Sequence, residues 1–257
     1  MPQIHPTAML DPSAILGEDC YIGPFCQIGP RVILGKGNHL ISNVIIGKNT
    51  TLGDYNRISP YAVLGTDPQD LKYQGEETYL RVGSYNTIRE FATLNRSNSL
   101  DEETVVGDHN LIMTYAHIAH NCQIGSHCVI ANAVNMAGHI HIADWVTIGG
   151  MAAIHQFVHV GPHAFVGGLS AVKKDIAPYT RGDGIPYKTV GLNSVGLQRR
   201  GFSNEAILHI KHIYRHFYES ALNTTQALDS VAQFEPLTPE QQIFIDFVRN
   251  CDRGLST

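Results

Sequence analysis

From Leu10 onward, every sixth residue of the chain is aliphatic. The column reads Leu10, Leu16, Ile22, Ile28, Leu34, Leu40, Ile46, Leu52, Ile58 and Leu64. It resumes at Val82, Ile88 and Leu94 and runs from Val106 to Val172, broken in between only by Asp70 and Glu76. Four residues after each aliphatic the side chain is usually small or β-branched, as at Ala14, Cys20, Cys26, Val32, Val44, Thr50, Ala62, Ala116 and Cys122. Glycine often follows the aliphatic directly, for example at Gly17, Gly23, Gly35, Gly53, Gly107, Gly125 and Gly167, where it is expected to supply the backbone angles of a tight corner. A helix would repeat its apolar positions at intervals of three and four, and a sandwich would alternate between irregular turns. A strict six instead predicts a triangular prism: a short strand with a large inward residue, a corner, then a small inward residue. Three sextets make one coil, and successive coils stack about 4.8 Å apart through parallel-strand hydrogen bonds.

The column falters over residues 66–81 and 95–105, both polar, which are expected to project as loops and to carry binding groups on a rigid support. After Val172 the period stops. Ser203 reads as the N-cap of a helix ending near Glu219, with Ile207, Ile210, Ile213, Tyr214 and Phe217 on one face. Thr238-Pro239-Glu240-Gln241 combines a cap, a first-turn proline and a capping-box glutamine, followed by Ile243, Phe244, Phe247 and Val248. The expected division is a β-helix over residues 1–190 and a helical domain over 191–257.

The 257 residues suffice to bury a large core, and the low charged fraction of 16% with 24 glycines suits repetitive packing. A net charge of -5 argues against general nucleic-acid binding. No run approaches the roughly 20 apolar residues of a membrane span, and Met1–Asp11 lacks the form of a signal peptide, so a cytoplasmic protein without stable membrane insertion is expected. Of five cysteines, those at 20, 26, 122 and 128 fall at small inward positions and are read as core.

The eighteen-residue coil turns sequence positions into stacked neighbours. His120, Gly138 and Gln156 share one place on successive coils, as do Asn121 and His139, and His141 and His159. Together with His117 and His155 they form a polar ladder, in which Gly138 is expected to leave a gap beside His120 for a ligand. A lone exposed histidine is usually plain surface, but a cluster on adjacent rungs suggests a site, and imidazole suits general-base work on an alcohol. Lys173-Lys174, Arg199-Arg200, Lys211 and Arg215 read either as a solvated face or as a landing site for an acidic partner or a phosphate.

Five ordered segments carry a family resemblance: Gln69-Asp70-Leu71-Lys72-Tyr73, Ala116-His117-Ile118-Ala119-His120-Asn121-Cys122, Ala137-Gly138-His139, His155-Gln156-Phe157 and Gly196-Leu197-Gln198-Arg199-Arg200-Gly201-Phe202-Ser203. Together they resemble the UDP-N-acetylglucosamine O-acyltransferases, which begin lipid A biosynthesis. The resemblance gives the prism its left hand. It implies transfer of a fatty acyl chain, expected to be 3-hydroxylated, from the phosphopantetheine of acyl carrier protein to the sugar 3-hydroxyl, with no other cofactor and no metal. It further implies a homotrimer with active sites between prisms. His120 is then similar to the general base and Gly138 to an oxyanion-stabilising glycine. Asp70 and Lys72 would engage the glucosamine end. His117, His139, His155 and Gln156 would be substrate contacts, the last two reaching across a subunit boundary. Asn193, Arg199 and Arg200 would hold the nucleotide, Arg200 or its neighbours also meeting carrier protein, and Gly168 would be the hydrocarbon ruler. The chain departs from the family at Asn121, where Asp is common, at Asn95-Arg96-Ser97-Asn98, and at Val195, where Glu is frequent.

Three other readings compete. One is a related acyltransferase that uses an amino-sugar nucleotide. Another is a zinc hydratase of the γ-carbonic-anhydrase type, whose His-x4-His pair is absent here. The third is a non-catalytic scaffold.

Overall fold

A computed structural model describes residues 1–231, 234 and 236–257. The prism is a left-handed parallel β-helix of about 10 turns. Its three faces are sheets of eleven, nine and eight strands. Most strands are two residues long, so each contributes one inward aliphatic and one outward residue. The regular offset is eighteen: His117 pairs with Asn135, and Asn135 with Ala153. Two coils are longer. Thr51 pairs with Arg81, and Arg81 with Val105, so the extra segments are two sextets and one sextet long. That is why the period survives across them while Asp70, Glu76 and Leu100 stand outside the core.

The corner glycines do a different job from the expected one. The residue in the left-handed region is the third after each aliphatic, and it is almost never glycine: Tyr55, Tyr85, His109, Trp145 and His163 have φ between 54° and 63°. Gly17, Gly35 and Gly53 are not left-handed; a Cβ on any of them would stand within 2.8 Å of the next coil's backbone. Glycine is required here by close approach of coil to coil. The strained corner residues are held by bonds to the coil below, as when Trp145 N–H donates to Ser126 O at 2.9 Å. Their rings stack from Tyr55 through Tyr85, His109, His127 and Trp145 to His163 and Tyr179.

Inside, large aliphatics meet small residues, and the four prism cysteines are buried among them. Burial pushes the thiols of Cys122 and Cys128 up to about 12. One inward column holds amides instead of apolar groups. Asn56 Nδ2 donates to Asn38 Oδ1 and Asn86 Nδ2 to Asn56 Oδ1, each at 3.0 Å, with further donation to the carbonyls of Gly53, Gly83 and Gly107. Asn110 continues the ladder, and its Oδ1 accepts from Cys128 N–H at 2.7 Å. The ladder stays buried because its amides find partners on neighbouring coils.

An antiparallel hairpin, Thr180–Asp183 with Lys188–Leu192, covers the end of the eleven-stranded face. Four helices follow among the described residues: α1 (Ser194–Arg199), α2 (Asn204–Tyr218), α3 (Thr224–Val231) and α4 (Pro239–Arg249). Ser203 caps α2, and Thr238 with Gln241 forms a full capping box on α4. The face of α2 carrying Ile210, Ile213 and Phe217 packs with Phe244, Ile245 and Val248 of α4 in a second core, over Ala177 and Tyr179 at the prism's end. The hairpin, α1 and α3 have no counterpart in the expected elements, because their segments are too short to show a period.

Candidate active site

The corner between the nine- and eight-stranded faces carries the stacked polar ladder. A groove of about 850 Å³ there is lined by His117, His120, Gly138, His139 and Gln156, with Asp70 and Lys72 reaching over from the first excursion. The expected gap at Gly138 is filled by the His120 ring: a Cβ on Gly138 would stand 2.4 Å from its Cε1. The glycine thus seats the imidazole and turns its edge toward the groove. Among the described residues nothing accepts from the Gly138 N–H.

The hydrogen-bond network assigns the tautomer of His120. Asn121 Oδ1 accepts from Asn98 N–H at 3.0 Å, and Asn121 Nδ2 donates to Glu102 Oε2 at 2.7 Å. The oxygen end of the amide therefore faces His120 Nδ1, 2.9 Å away, so Nδ1 carries the proton and donates. Nε2 is left with a lone pair directed to the groove, 4.0 Å from Asp70 Oδ2. Bonds from Lys72 N–H and the Asn98 amide hold the Asp70 carboxyl below its usual range. Burial, reinforced by neighbouring His120, lowers the pKa of both His117 and His139 and favours their neutral forms. The site thus combines a free imidazole nitrogen, a carboxylate able to stabilise the imidazolium, and an unused backbone donor.

The loops that supply Asp70 and Glu102 are clasped together. Arg96, 1% exposed, pairs with Asp67 and also donates to Gly65 O, while Asn98 joins Asp70 to the same cluster. Arg96, Asn98, Ser99 and Glu102 were not expected to support the site. Arg96 and Asn98 were marked as part of a departure from the family motif, and Ser99 and Glu102 only by their place in a polar break of the period.

A second pocket of about 590 Å³ lies on the eleven-stranded face, where Thr147, Phe165 and Arg181 meet Asn193, Arg199 and Arg200. Asn193 caps α1 and donates to His163 O at 2.9 Å. Arg200 lies over the Trp145 ring at 5.6 Å and donates to His163 Nδ1 at 3.4 Å. Burial, aided by that guanidinium, lowers the His163 pKa to about 4, so the ring is neutral and can accept.

The remaining candidates stand apart. Gln156, expected from across a subunit boundary, lines the His120 groove within its own chain, whereas His155 is exposed outside it. Gly168 sits exposed at the corner between the eleven- and nine-stranded faces and lines neither pocket. Among the described residues, no group of three or more His, Cys, Asp or Glu side chains is placed to hold a metal ion.

Known proteins give this geometry a context. An acyl-(acyl-carrier-protein)–UDP-N-acetylglucosamine O-acyltransferase of Thermodesulfovibrio yellowstonii is 42% identical over 256 residues, 99% of each chain. The chain belongs to the UDP-N-acetylglucosamine O-acyltransferase family. Residues 175–256 match the description of that acyltransferase's domain 2, and residues 103–138 match the bacterial transferase hexapeptide, six repeats. The solved UDP-N-acetylglucosamine O-acyltransferase of Moraxella catarrhalis superposes with a TM-score of 0.95 at 41% identity, covering 99% of both chains. That of Bacteroides fragilis gives 0.96 at 40% identity over 99% of this chain and all of its own. For a member of the acyltransferase family the two pockets fit acyl transfer to a sugar nucleotide. The zinc-hydratase reading gains nothing from these relatives.

Proposed function

We propose that this chain transfers a 3-hydroxyacyl group from acyl carrier protein to the 3-hydroxyl of UDP-N-acetylglucosamine, the first step of lipid A biosynthesis. The observation that carries the reading is the contact of Asn121 Oδ1 with His120 Nδ1 at 2.9 Å, which leaves Nε2 as the free nitrogen of a ring lining the groove. Nε2 takes the proton of the sugar 3-hydroxyl as its oxygen attacks the thioester carbonyl. The Gly138 N–H stabilises the oxyanion, and Asp70 offsets the imidazolium charge. Collapse of the tetrahedral intermediate breaks the C–S bond, and the leaving thiolate recovers the proton from His120. The products are the 3-O-acyl nucleotide sugar and free carrier-protein thiol, with no cofactor beyond the donor's phosphopantetheine.

Asp70 and Lys72 hold the glucosamine end in this reading, with His117, His139, His155 and Gln156 along the substrate. Asn193, Arg199 and Arg200 bind uridine and phosphate, the guanidiniums through paired N–H donors. The two pockets lie on different faces of one prism and share no lining residue. A homotrimer would place the arginine pocket of one copy beside the histidine groove of the next. No helix among the described residues is long and apolar enough to cross a membrane. We place the reaction in the cytoplasm, where the carrier-protein donor is made. Incubation of the purified protein with UDP-N-acetylglucosamine and a panel of acyl carrier proteins should add one acyl mass to the nucleotide. Absence of any acylated nucleotide across the panel would refute the reading.

A further inference from the structure

Asn121 is buried in the left-handed region, φ 59°, a conformation open to Asn and Asp alike. Its amide has two ends of the same shape and opposite hydrogen-bonding sense. In the observed orientation Oδ1 meets two donors, Asn98 N–H and His120 Nδ1, while Nδ2 meets Ser99 Oγ at 3.2 Å and Glu102 Oε2 at 2.7 Å. Reversed, the amide would set its NH2 against the Asn98 N–H and its oxygen against the Glu102 carboxylate with no proton between them. Its NH2 would face the ring, which would then have to accept at Nδ1 and carry its proton on Nε2. Asp70 Oδ2, 4.0 Å from Nε2, pulls the proton toward that same side. Two carboxylates thus compete over one imidazole proton. Asp70 favours Nε2–H, a form that cannot act as a base, and Glu102 favours Nδ1–H through Asn121. Ser99 does not decide the matter, because a hydroxyl donates or accepts with equal ease.

We propose that Glu102 is a positioning residue for acyl transfer: by accepting from the Asn121 amide it works with the Asn98 N–H to fix that amide's orientation and, through it, the base-competent tautomer of His120. This rests on His120 being the general base. It also accounts for the amide at 121. With Glu102 Oε2 2.7 Å away, an aspartate there would bring two carboxylates into contact, whereas an asparagine bridges the carboxylate to the ring.

The test compares His120→Ala, Glu102→Ala, Glu102→Gln, Asn121→Asp and the Asn121→Asp/Glu102→Gln double variant in the intact protein. Steady-state kinetics are read alongside the nitrogen chemical shifts of 15N-labelled histidine, with His120 assigned by its loss in the alanine variant. Glu102→Ala should lower kcat by about tenfold, leave KM for the nucleotide within about twofold, and shift the His120 ring from Nδ1–H toward Nε2–H, with the Asn98 N–H left as the sole restraint on the Asn121 amide. Glu102→Gln, which keeps an acceptor for the Asn121 amide, should return kcat to within about threefold of the native value. Asn121→Asp should lose activity that the added Glu102→Gln restores. If His120→Ala is inactive but Glu102→Ala keeps native kcat and an Nδ1–H ring, the positioning role is wrong and the base survives. Equal losses in Glu102→Ala and Glu102→Gln would also overturn it. Native turnover by His120→Ala would instead remove the base itself.

Discussion

The two pockets of the prism are built for opposite electrostatic tasks. On the corner of the nine- and eight-stranded faces Asp70 and Glu102 stand beside the imidazoles of His120 and His139, and among the described residues Lys72 is the only lysine or arginine lining the groove. On the eleven-stranded face three arginines, Arg181, Arg199 and Arg200, line the pocket, and Arg200 rests on His163, whose pKa burial has lowered to about 4. The first environment can receive a proton and hold the resulting cation; the second can only bind an anion. Both grow from the same outward positions of the same repeat. The contrast comes from what is added: polar excursions over the first, a hairpin and a short helix over the second.

The sharpest break in the comparison is at His120. His120→Ala should leave secondary structure and assembly unchanged by circular dichroism and size exclusion, while kcat falls at least about 100-fold. A comparable loss for an arginine variant would erase the distinction. Arg200→Ala should instead raise KM for the nucleotide about tenfold with kcat changed less, because a lost charge-assisted contact weakens ground and transition states alike. Initial-rate kinetics over a nucleotide range decides between them.

A smaller effect separates the pockets by pH. His163 is neutral in the fold down to about pH 4, whereas an unfolded chain protonates it near 6.5. Below that upper value the unfolded state binds the extra proton, so this residue's contribution to stability is full above about 6.5 and declines toward about 4. The decline should be on the order of 1 kcal/mol, discounted for a ring that is partly exposed. His163→Gln should flatten it in urea titrations at pH 7.5 and 4.5. The smallest change is expected at Gly168, where a Cβ would meet only backbone atoms of Gly150, the closest at 3.1 Å. Gly168→Met should shift donor preference toward shorter chains, since each methylene excluded from a groove between prisms forfeits about 0.8 kcal/mol. An unchanged ranking of donors would remove Gly168 from the acyl path.

The prism was legible because a two-residue strand exposes one inward side chain per sextet, so the period in the sequence is the geometry itself. Ser203 and Thr238 were legible for a similar reason: caps act within one turn. The corner glycines were visible, but their cause lies in the separation of stacked coils, which no single sextet contains. The Asn38–Asn110 ladder sits in the inward column, yet its hydrogen bonds join coils across the first excursion, so an asparagine read alone looks like a flaw in the core. The histidine ladder could be aligned by counting coils. The clasp of Arg96 on Asp67 and the bond from Asn121 to Glu102 could not, because both join aperiodic loops whose paths the repeat does not set.

The proposed homotrimer makes catalysis depend on the His120 groove of one copy and the arginine pocket of another. Co-expression of His120→Ala and Arg199→Ala/Arg200→Ala chains under two affinity tags allows mixed trimers to be isolated. Their turnover is then measured at nucleotide concentrations below the native KM. Each mixed trimer carries one boundary where both halves are intact, so activity should reach about one third of native and exceed both parent variants. Mixed trimers no more active than the average of the two parent variants would contradict the claim and put both halves within one chain.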